Sequence, residues 1–544
     1  MTNNRSRFFC NLAFPVLLLA ACVLHPAAAR AQETSLGVDC SKINAPALLM
    51  QDNMRAGLML IQCGIVRGGQ PAAGGAEQKQ VAPPNIANLL VSNGSDCSSS
   101  SDMCGSESMV AASTADKGQT VVVNYNSNYD NGSDYSGASY STDGGATFTE
   151  IQPSPFASGH GTNYGDPLVV FNSKMGEFFA GDLVSGADCG GQGIGLWTST
   201  DGKTWKTGAC AHNGEFDDRP SMWSDNEPSS ATYGRMFMSW NDFNTTCGDG
   251  GCLFVTHSDD GKTWSTPVEV QNNSTFLRNV QITGSPRGAA LLGAQSTVFI
   301  ASMDEGGGQN ATRQNLMFSS TDGGNTWTQT IMGPRYNPVG DTSCGYFYQV
   351  NPIIRHMGWG EPAVGPDGVV HYDYAGAGTN GDHGDIFYQR STDNGMTWSK
   401  AIKLNTDAVA QFKTQWMPSL SATSDGNVTA SWYDRRKATS ACNNVGDPGC
   451  NYERVGRQSI TNGTSWGPEG AISPVITQPA QDDPNVVSCY AGDYDYNVAL
   501  NAADTGTKTG TAYVTWTDGR KKVGGVSVEN LEFASGAEGI GQAH

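Results

Sequence analysis

Ser320-Thr321-Asp322-Gly323-Gly324-Asn325-Thr326-Trp327 decides the fold, because the chain repeats it. The pattern is Ser-x-Asp-x-Gly-x-Thr-(Trp/Phe). Ser141 to Phe148 and Ser391 to Trp398 carry it in full, and Ser199 to Trp205 and Ser258 to Trp264 are one residue shorter. A sixth copy, Ser459 to Trp466, has Thr461 in place of the aspartate. Consecutive copies start 58, 59, 62, 71 and 68 residues apart, a spacing that predicts an array of equal supersecondary units. Each copy reads as a tight hairpin turn. The aspartate accepts from backbone N–H groups just beyond it, glycine supplies positive φ, and the closing aromatic packs back between sheets.

Upstream of each copy lies a pair of β-rich segments ending in an aromatic and often an aspartate. Pro220-Ser-Met-Trp runs to Trp240-Asn-Asp242, Pro362-Ala-Val to His371-Tyr-Asp373, and Pro418-Ser-Leu to Trp432-Tyr-Asp434-Arg435. Others begin at Ser108-Met-Val-Ala, Pro167-Leu-Val-Val and, more weakly, Val280-Gln-Ile. A seventh, Tyr496-Asn-Val-Ala to Trp516-Thr-Asp518-Gly-Arg520, follows the last turn. Gly, Asn and Asp between the two segments make each pair a hairpin. Seven pairs predict seven blades. The last blade has too few strands of its own, and Asn88-Leu-Leu-Val-Ser92 can complete it and close the ring. Closure removes the exposed edge on which such a sheet would aggregate.

The turn resembles the Asp-box, or BNR repeat, of sialidases and many other exported β-propellers. The resemblance covers roughly residues 85–535. It implies an all-β, seven-bladed propeller of sialidase-like type, with six blades as the alternative. It also implies that the boxes join the third and fourth strands of each blade, away from the active site, so their aspartates are structural. The family's catalytic motifs are matched less well. No Arg-Ile-Pro string occurs, and the nearest, Asp218-Arg219-Pro220, lies in the third unit. Tyr494 lies in the last blade, as the family nucleophile does, with different flanks.

The expected organisation is a signal peptide over 1–31, a small stapled helical segment over 32–67, a linker over 68–84 and the propeller over 85–544. Arg5 and Arg7 precede an apolar run from Leu12 to Leu24, and Ala29-Arg30-Ala31 is a small-x-small cleavage site. Leu19-Ala20-Ala21-Cys22 offers a second reading, a lipoprotein anchored through Cys22. Either reading places the protein outside the cytoplasm, secreted or periplasmic, with no further segment long and apolar enough to span a membrane. Of 14 cysteines, two fall in the signal. Cys40/Cys63, Cys97/Cys104, Cys189/Cys210, Cys247/Cys252 and Cys442/Cys450 are near neighbours, natural staples in an oxidising compartment. Cys344 and Cys489 remain, and a bridge between them would join two loops beside the site. Asn44 to Ile61 reads as one amphipathic helix, and Gly and Pro after Arg67 read as linker.

A formal net charge of −20 repels nucleic acid and other polyanions. The expected partner is a carbohydrate or glycoconjugate, bound by a monomer with no cofactor and no metal. In propellers of this type, residues just before each innermost strand and just after each second strand ring the top face. The entry positions hold Asp166, Asp217, Asp218, Arg219, Trp359, Glu361, Gln415, Trp416, Asp493 and Tyr494. The exit positions hold Asp242, Asp373, Asp434, Arg435, Arg436, Asp518 and Arg520. Aromatics stack on sugar faces, carboxylates do acid/base work, and Arg holds an anionic substituent. The expected function is a secreted, exo-acting, sialidase-like glycoside hydrolase. Glu361, Tyr494, Asp218, Asp166 and Asp493 are the catalytic candidates, and Arg219, Arg435, Arg520, Trp359 and Trp416 the substrate-binding ones. The alternatives are a non-catalytic glycan- or protein-binding propeller, or a lyase or non-sialic glycosidase on the same fold. Trp-x-Asp at Trp240, Trp432 and Trp516 repeats across blades, and this repetition favours a structural role for Asp242, Asp434 and Asp518.

Overall fold

Around each box the alternating apolar residues form antiparallel strands that step outward from a common axis. The computed structural model describes residues 38–69, 89–91 and 105–536, apart from internal segments of which 244–250, 287–294, 440–450 and 474–482 are the longest. Blade 1 runs from Ser106–Ala112 to Thr149–Glu150, blade 2 from Leu168–Asn172 to Lys206–His212, and blade 3 from Asp217–Ser224 to Val268–Glu269. Blade 4 runs from Leu277–Gly284 to Thr328–Ile331, blade 5 from Pro362–Val364 to Ile402–Lys403, and blade 6 from Gln415–Ala422 to Gly470–Ala471. Blade 7 takes Val498–Leu500, Thr511–Asp518 and Asn530–Gly536 from the end of the chain. Its outermost strand comes from the other end: Leu89 pairs with Phe533 and Leu90 with Glu532. The seven-bladed count and the closing strand are as the sequence led us to expect.

The boxes fold as hydrogen-bonded turns. Asp322 Oδ1 accepts from the Thr326 amide at 2.9 Å, and the Gly324 amide donates to Ser320 Oγ at 2.9 Å. Trp327 Nε1 donates to the Gly324 carbonyl at 3.1 Å. In the sixth copy Thr461 Oγ1 takes the aspartate's place and accepts from the Ser465 amide at 3.0 Å. The box glycine meets the preceding blade. A Cβ on Gly324 of blade 4 would lie 2.9 Å from Phe237 of blade 3, and Gly145, Gly202, Gly261, Gly395 and Gly463 abut Phe533, Val122, Phe179, Phe299 and Tyr388 in the same sense.

The single helix expected over 44–61 is two. Helix α1 (Ala45–Leu49) and helix α2 (Met54–Gln62) are separated by Met50-Gln51-Asp52-Asn53. Asn53 adopts an extended backbone and its Oδ1 accepts from the Ala56 amide at 2.8 Å, so it starts a new helix rather than continuing the old one. A Cys40–Cys63 disulfide ties the ends of this helical pair. Residues from Cys40 onward form one compact unit with the propeller.

Gly324→Ala isolates the seam between blades. Gly176 also has positive φ but open space around its Cβ position, so Gly176→Ala measures backbone strain alone. Gly324→Ala is expected to cost about 1–3 kcal/mol more than Gly176→Ala in urea unfolding, the usual penalty of overpacking a core. Equal costs would mean that the seam is loose.

Candidate functional site

The innermost strands do not enter the axis straight. In four blades the register slips at the top end: between Ser106 and Ser108, Asp218 and Ser221, Arg278 and Gln281, and Trp416 and Ser419. One residue at each slip has positive φ: Glu107, Arg219, Asn279 and Met417, with Asp166 in the corresponding place in blade 2. Such conformations cost a non-glycine residue about 1–3 kcal/mol. A bulge re-aims the side chains beside it. Three of these five residues, Glu107, Asp166 and Arg219, therefore reach one buried cluster at the top of the axis.

The connection into blade 7 brings the rest. Asp495–Tyr496 pairs in parallel with Ser108–Met109 of blade 1, and the Asp493 amide donates to Glu107 Oε1 at 2.9 Å. This seats Asp493 and Tyr494 beside Glu107. Asp166 Oδ2 accepts from the Arg219 amide at 2.8 Å, and Asn126 links Asp166 to Glu107. The Arg219 guanidinium stacks 3.7 Å above the Trp359 ring and 4.6 Å from that of Tyr494. Arg355 holds Asp493 through Nη2 at 2.7 Å and Nε at 3.2 Å.

At the centre is Asp52, from the tip between α1 and α2. Arg278 Nη2 lies 2.9 Å from Asp52 Oδ1, Arg219 Nη1 lies 4.0 Å from Oδ2, and Arg355 Nη2 donates to the Asp52 carbonyl at 2.5 Å. Arg278 Nη1 also donates to the Met50 carbonyl. Asp218 accepts from the Asp52 amide at 3.2 Å and from Asn53 Nδ2 at 2.8 Å.

This cluster holds five carboxylates, Asp52, Glu107, Asp166, Asp218 and Asp493, against three guanidinium groups, all buried. The negative charge in excess appears as proton uptake. Burial, and then the neighbouring Asp493 and Asp52 charges, push Glu107 well up. Burial does the same to Asp166, reinforced by Glu107 and Asp52, and to Asp218, reinforced by Asp52 and Asp166. Asp493 rises to about 6, driven by burial and restrained by Arg355. Asp52 alone goes the other way: burial raises it, but Arg278, Asp218, Arg219 and Arg355 together outweigh burial. The Tyr494 phenol is pushed well above its ordinary value by burial and by Glu107 and Asp166.

Of the residues named from the sequence, Asp166, Asp218, Arg219, Trp359, Asp493 and Tyr494 lie together here. Glu361 lies elsewhere: its Oε2 accepts from Ser419 Oγ at 2.5 Å and from the Leu420 amide at 2.9 Å, tying blade 5 to blade 6. Trp416 packs against Tyr433 and Tyr452 in the core, with Arg435 5.7 Å from its ring. Arg520 lies outside the described residues, as does Cys489, and with it the expected bridge to Cys344. Trp432 and Trp516 donate to Asp434 and Asp518, which are buried within their own blades. Glu107, Arg278, Arg355 and Asp52 were not singled out from the sequence. Setting the blades against one another would have found two of them, since Asp218-Arg219-Pro-Ser, Arg278-Asn279-Val-Gln and Trp416-Met417-Pro-Ser share a position, and Ser106-Glu107-Ser108 opens the same strand.

His160, Asp188, Cys189 and Cys210 have ligand atoms within 4.8 Å of one another. The two sulfurs are bonded to each other, and His160 Nδ1 and Asp188 Oδ2 bond at 2.5 Å, so too few ligands remain for a metal centre.

No family model and no curated protein matches this chain. Among solved structures it is similar to a protein of unknown function from Dyadobacter fermentans DSM 18053, at 14% identity and a TM-score of 0.38, covering 84% of this chain and 98% of that one. It is also similar to Penicillium chrysogenum alpha-L-arabinanase in complex with arabinobiose, at 13% identity and a TM-score of 0.39, covering 84% and 99%. A third is Hadza microbial sialidase Hz136, at 15% and 0.35, covering 83% and 68%. Identities of this size assign no residue of the site.

The charge cluster sets a pH dependence. Free carboxylates titrate near 4, so the raised groups hold protons that the unfolded chain has already lost. Their stabilisation is complete below about pH 4 and is lost as pH rises through the folded values, with Asp493 at about 6 and Asp373, another buried carboxyl, at about 8. Asp52 has the opposite sign: its contribution is present above about pH 4 and is lost as pH falls through its lowered value. The urea midpoint is therefore expected to fall between pH 5 and pH 8, and Glu107→Gln to flatten that fall. A midpoint that climbs over the same range contradicts the arrangement.

Proposed function

We propose that this chain is an exported, sialidase-like glycoside hydrolase whose substrate carries a carboxylate on the sugar it recognises. The observation that supports this most is the convergence of three buried guanidinium groups on one residue beside Tyr494: Arg278 and Arg219 face the Asp52 carboxylate and Arg355 its backbone carbonyl. Guanidinium groups in a site shielded from water select an anionic substituent. Export is supported by the Cys40–Cys63 and Cys189–Cys210 disulfides. No helix among the described residues is long and apolar enough to cross a membrane.

In this reading Glu107 must first give up the proton that burial favours on it. Tyr494 Oη then attacks the anomeric carbon while its proton passes to the Glu107 carboxylate. Asp166, kept protonated by burial, protonates the leaving oxygen. Water then attacks the same carbon as Asp166 takes its proton, and Tyr494 leaves and recovers its proton from Glu107. A buried tyrosine is a poor nucleophile unless a base removes its proton, and the raised phenol makes that base necessary. Glu107 takes the role the sequence suggested for Glu361, and Arg278 and Arg355 those suggested for Arg435 and Arg520.

A second reading is a propeller that binds an acidic glycan without cleaving it. One observation favours it: Tyr494 Oη has no hydrogen-bond partner among the described residues. A panel of sialyl, uronyl and neutral aryl glycosides separates the two. Hydrolysis is expected for an acidic member only, and Tyr494→Phe is expected to lower turnover by about 10²–10⁴-fold. Turnover confined to neutral glycosides contradicts the carboxylate reading, and binding without turnover selects the second one.

A further inference from the structure

The group that the three arginines hold is the chain's own. We propose that the stapled helical segment, residues 40–67, is an intramolecular ligand of the site. Asp52 stands where a substrate carboxylate would stand, and the segment must withdraw before substrate enters. The inference rests on the reading of the cluster as a carboxylate-binding site.

Four features support it. The tip Gln51-Asp52-Asn53 is buried in the funnel although it belongs to no blade. It engages the site by the bonds a ligand would use: carboxylate to Arg278, carbonyl to Arg355, and amide and Asn53 side chain to Asp218. Its carboxylate is held ionised by the arginines, so it is unsuited to giving or taking a proton at working pH and acts as an anionic group only. Finally, the fit is incomplete. No nitrogen of the Arg219 side chain has a hydrogen bond among the described residues, and its nearest approach to Asp52 is 4.0 Å. A buried guanidinium without hydrogen bonds is a standing cost that a better-placed carboxylate removes. An external ligand can therefore outcompete Asp52 at a site that Asp52 fills only in part.

The segment is also held where it leaves the funnel. Gly68 bridges to Val487, and the Gly69 amide donates to the Asp483 carbonyl at 2.8 Å. This stretch leads to Tyr490, Asp493 and Tyr494, so displacement of the segment is transmitted directly to the loop that carries the nucleophile.

The test uses the full chain and the variants Asp52→Ala and Asn53→Ala. N-acetylneuraminate and glucuronate serve as carboxylate probes and galactose as the neutral control. Calorimetry should show at least tenfold tighter binding of one acidic probe to both variants, and none of galactose. Hydrogen exchange across 45–62 in the unaltered chain should quicken when the probe binds. Should Asp52→Ala fail to fold with its arginines unpaired, Asn53→Ala carries the affinity arm. Equal affinity in all three proteins, probe binding that slows exchange in the segment, loss of binding in the variants, or no binding to any of them overturns the proposal. Aryl glycoside turnover is scored separately. Affinity gained without turnover keeps the intramolecular ligand and rejects the hydrolase. Turnover that neither substitution raises, with exchange unchanged, does the reverse.

Discussion

At five of the six box turns the preceding blade leaves no room for a side chain on the second glycine or the glycine equivalent to it, and at Gly395 it comes to contact distance. Phe533, Val122, Phe179, Phe237 and Tyr388 occupy that space and Phe299 borders it, so the boxes bind blade to blade at six of the seven seams. The seam between blades 4 and 5 belongs to Gly395, and that between blades 7 and 1 to Gly145, which rests on Phe533. Phe533 in turn pairs with Leu89, so the first strand and the first box close the ring together. A ring closed in this way fixes how far each innermost strand stands from the axis. That distance places the charged residues at the top.

The top of the axis carries an electrostatic conflict that the fold does not need. Buried carboxylates outnumber the arginines around them, and Glu107, Asp166 and Arg219 have backbone conformations that disfavour side chains. Elsewhere the same bulge carries Asn279 and Met417, where it serves packing: Asn279 Nδ2 donates to the Gly360 carbonyl at 2.9 Å. The bulge is therefore a device of the fold, and the site borrows it in three blades. By contrast, Glu361, Ser419, Asn497 and Arg454 form a buried polar network between blades 5, 6 and 7 in which most groups are satisfied by one another. A satisfied network stabilises, whereas each unpaired buried polar group costs free energy.

The ring was legible because it repeats. The boxes and hairpin pairs gave the blade number, and a leftover apolar stretch at 88–92 gave the closing strand. The entry positions were legible for the same reason, and they led to Asp166, Asp218, Arg219, Asp493 and Tyr494. Strand order fixes which residues are near the top face but not which way they point. A one-residue slip reverses a strand's faces. Trp416, at the slip of blade 6, packs into the core against Tyr433 and Tyr452. Glu361, ahead of a strand with no such slip, turns into the seam between blades 5 and 6. Arg355 lies in Ile354–Arg355, a strand inserted between blades 4 and 5, where no repeat could locate it. Asp52 was beyond reach for a stronger reason. It comes from outside the propeller, and neither periodicity nor spacing relates an N-terminal helix tip to an axis built from the blades that follow it.

The central claim is that Arg219, Arg278 and Arg355 form a carboxylate-binding site that the chain itself occupies. Crystals of the full chain soaked in N-acetylneuraminate or glucuronate test it most directly. The account predicts the sugar carboxylate between these three arginines, hydrogen-bonded to Arg219, with Asp52 displaced from Arg278. A sugar bound elsewhere on the propeller, with Asp52 still seated among the arginines, would contradict it.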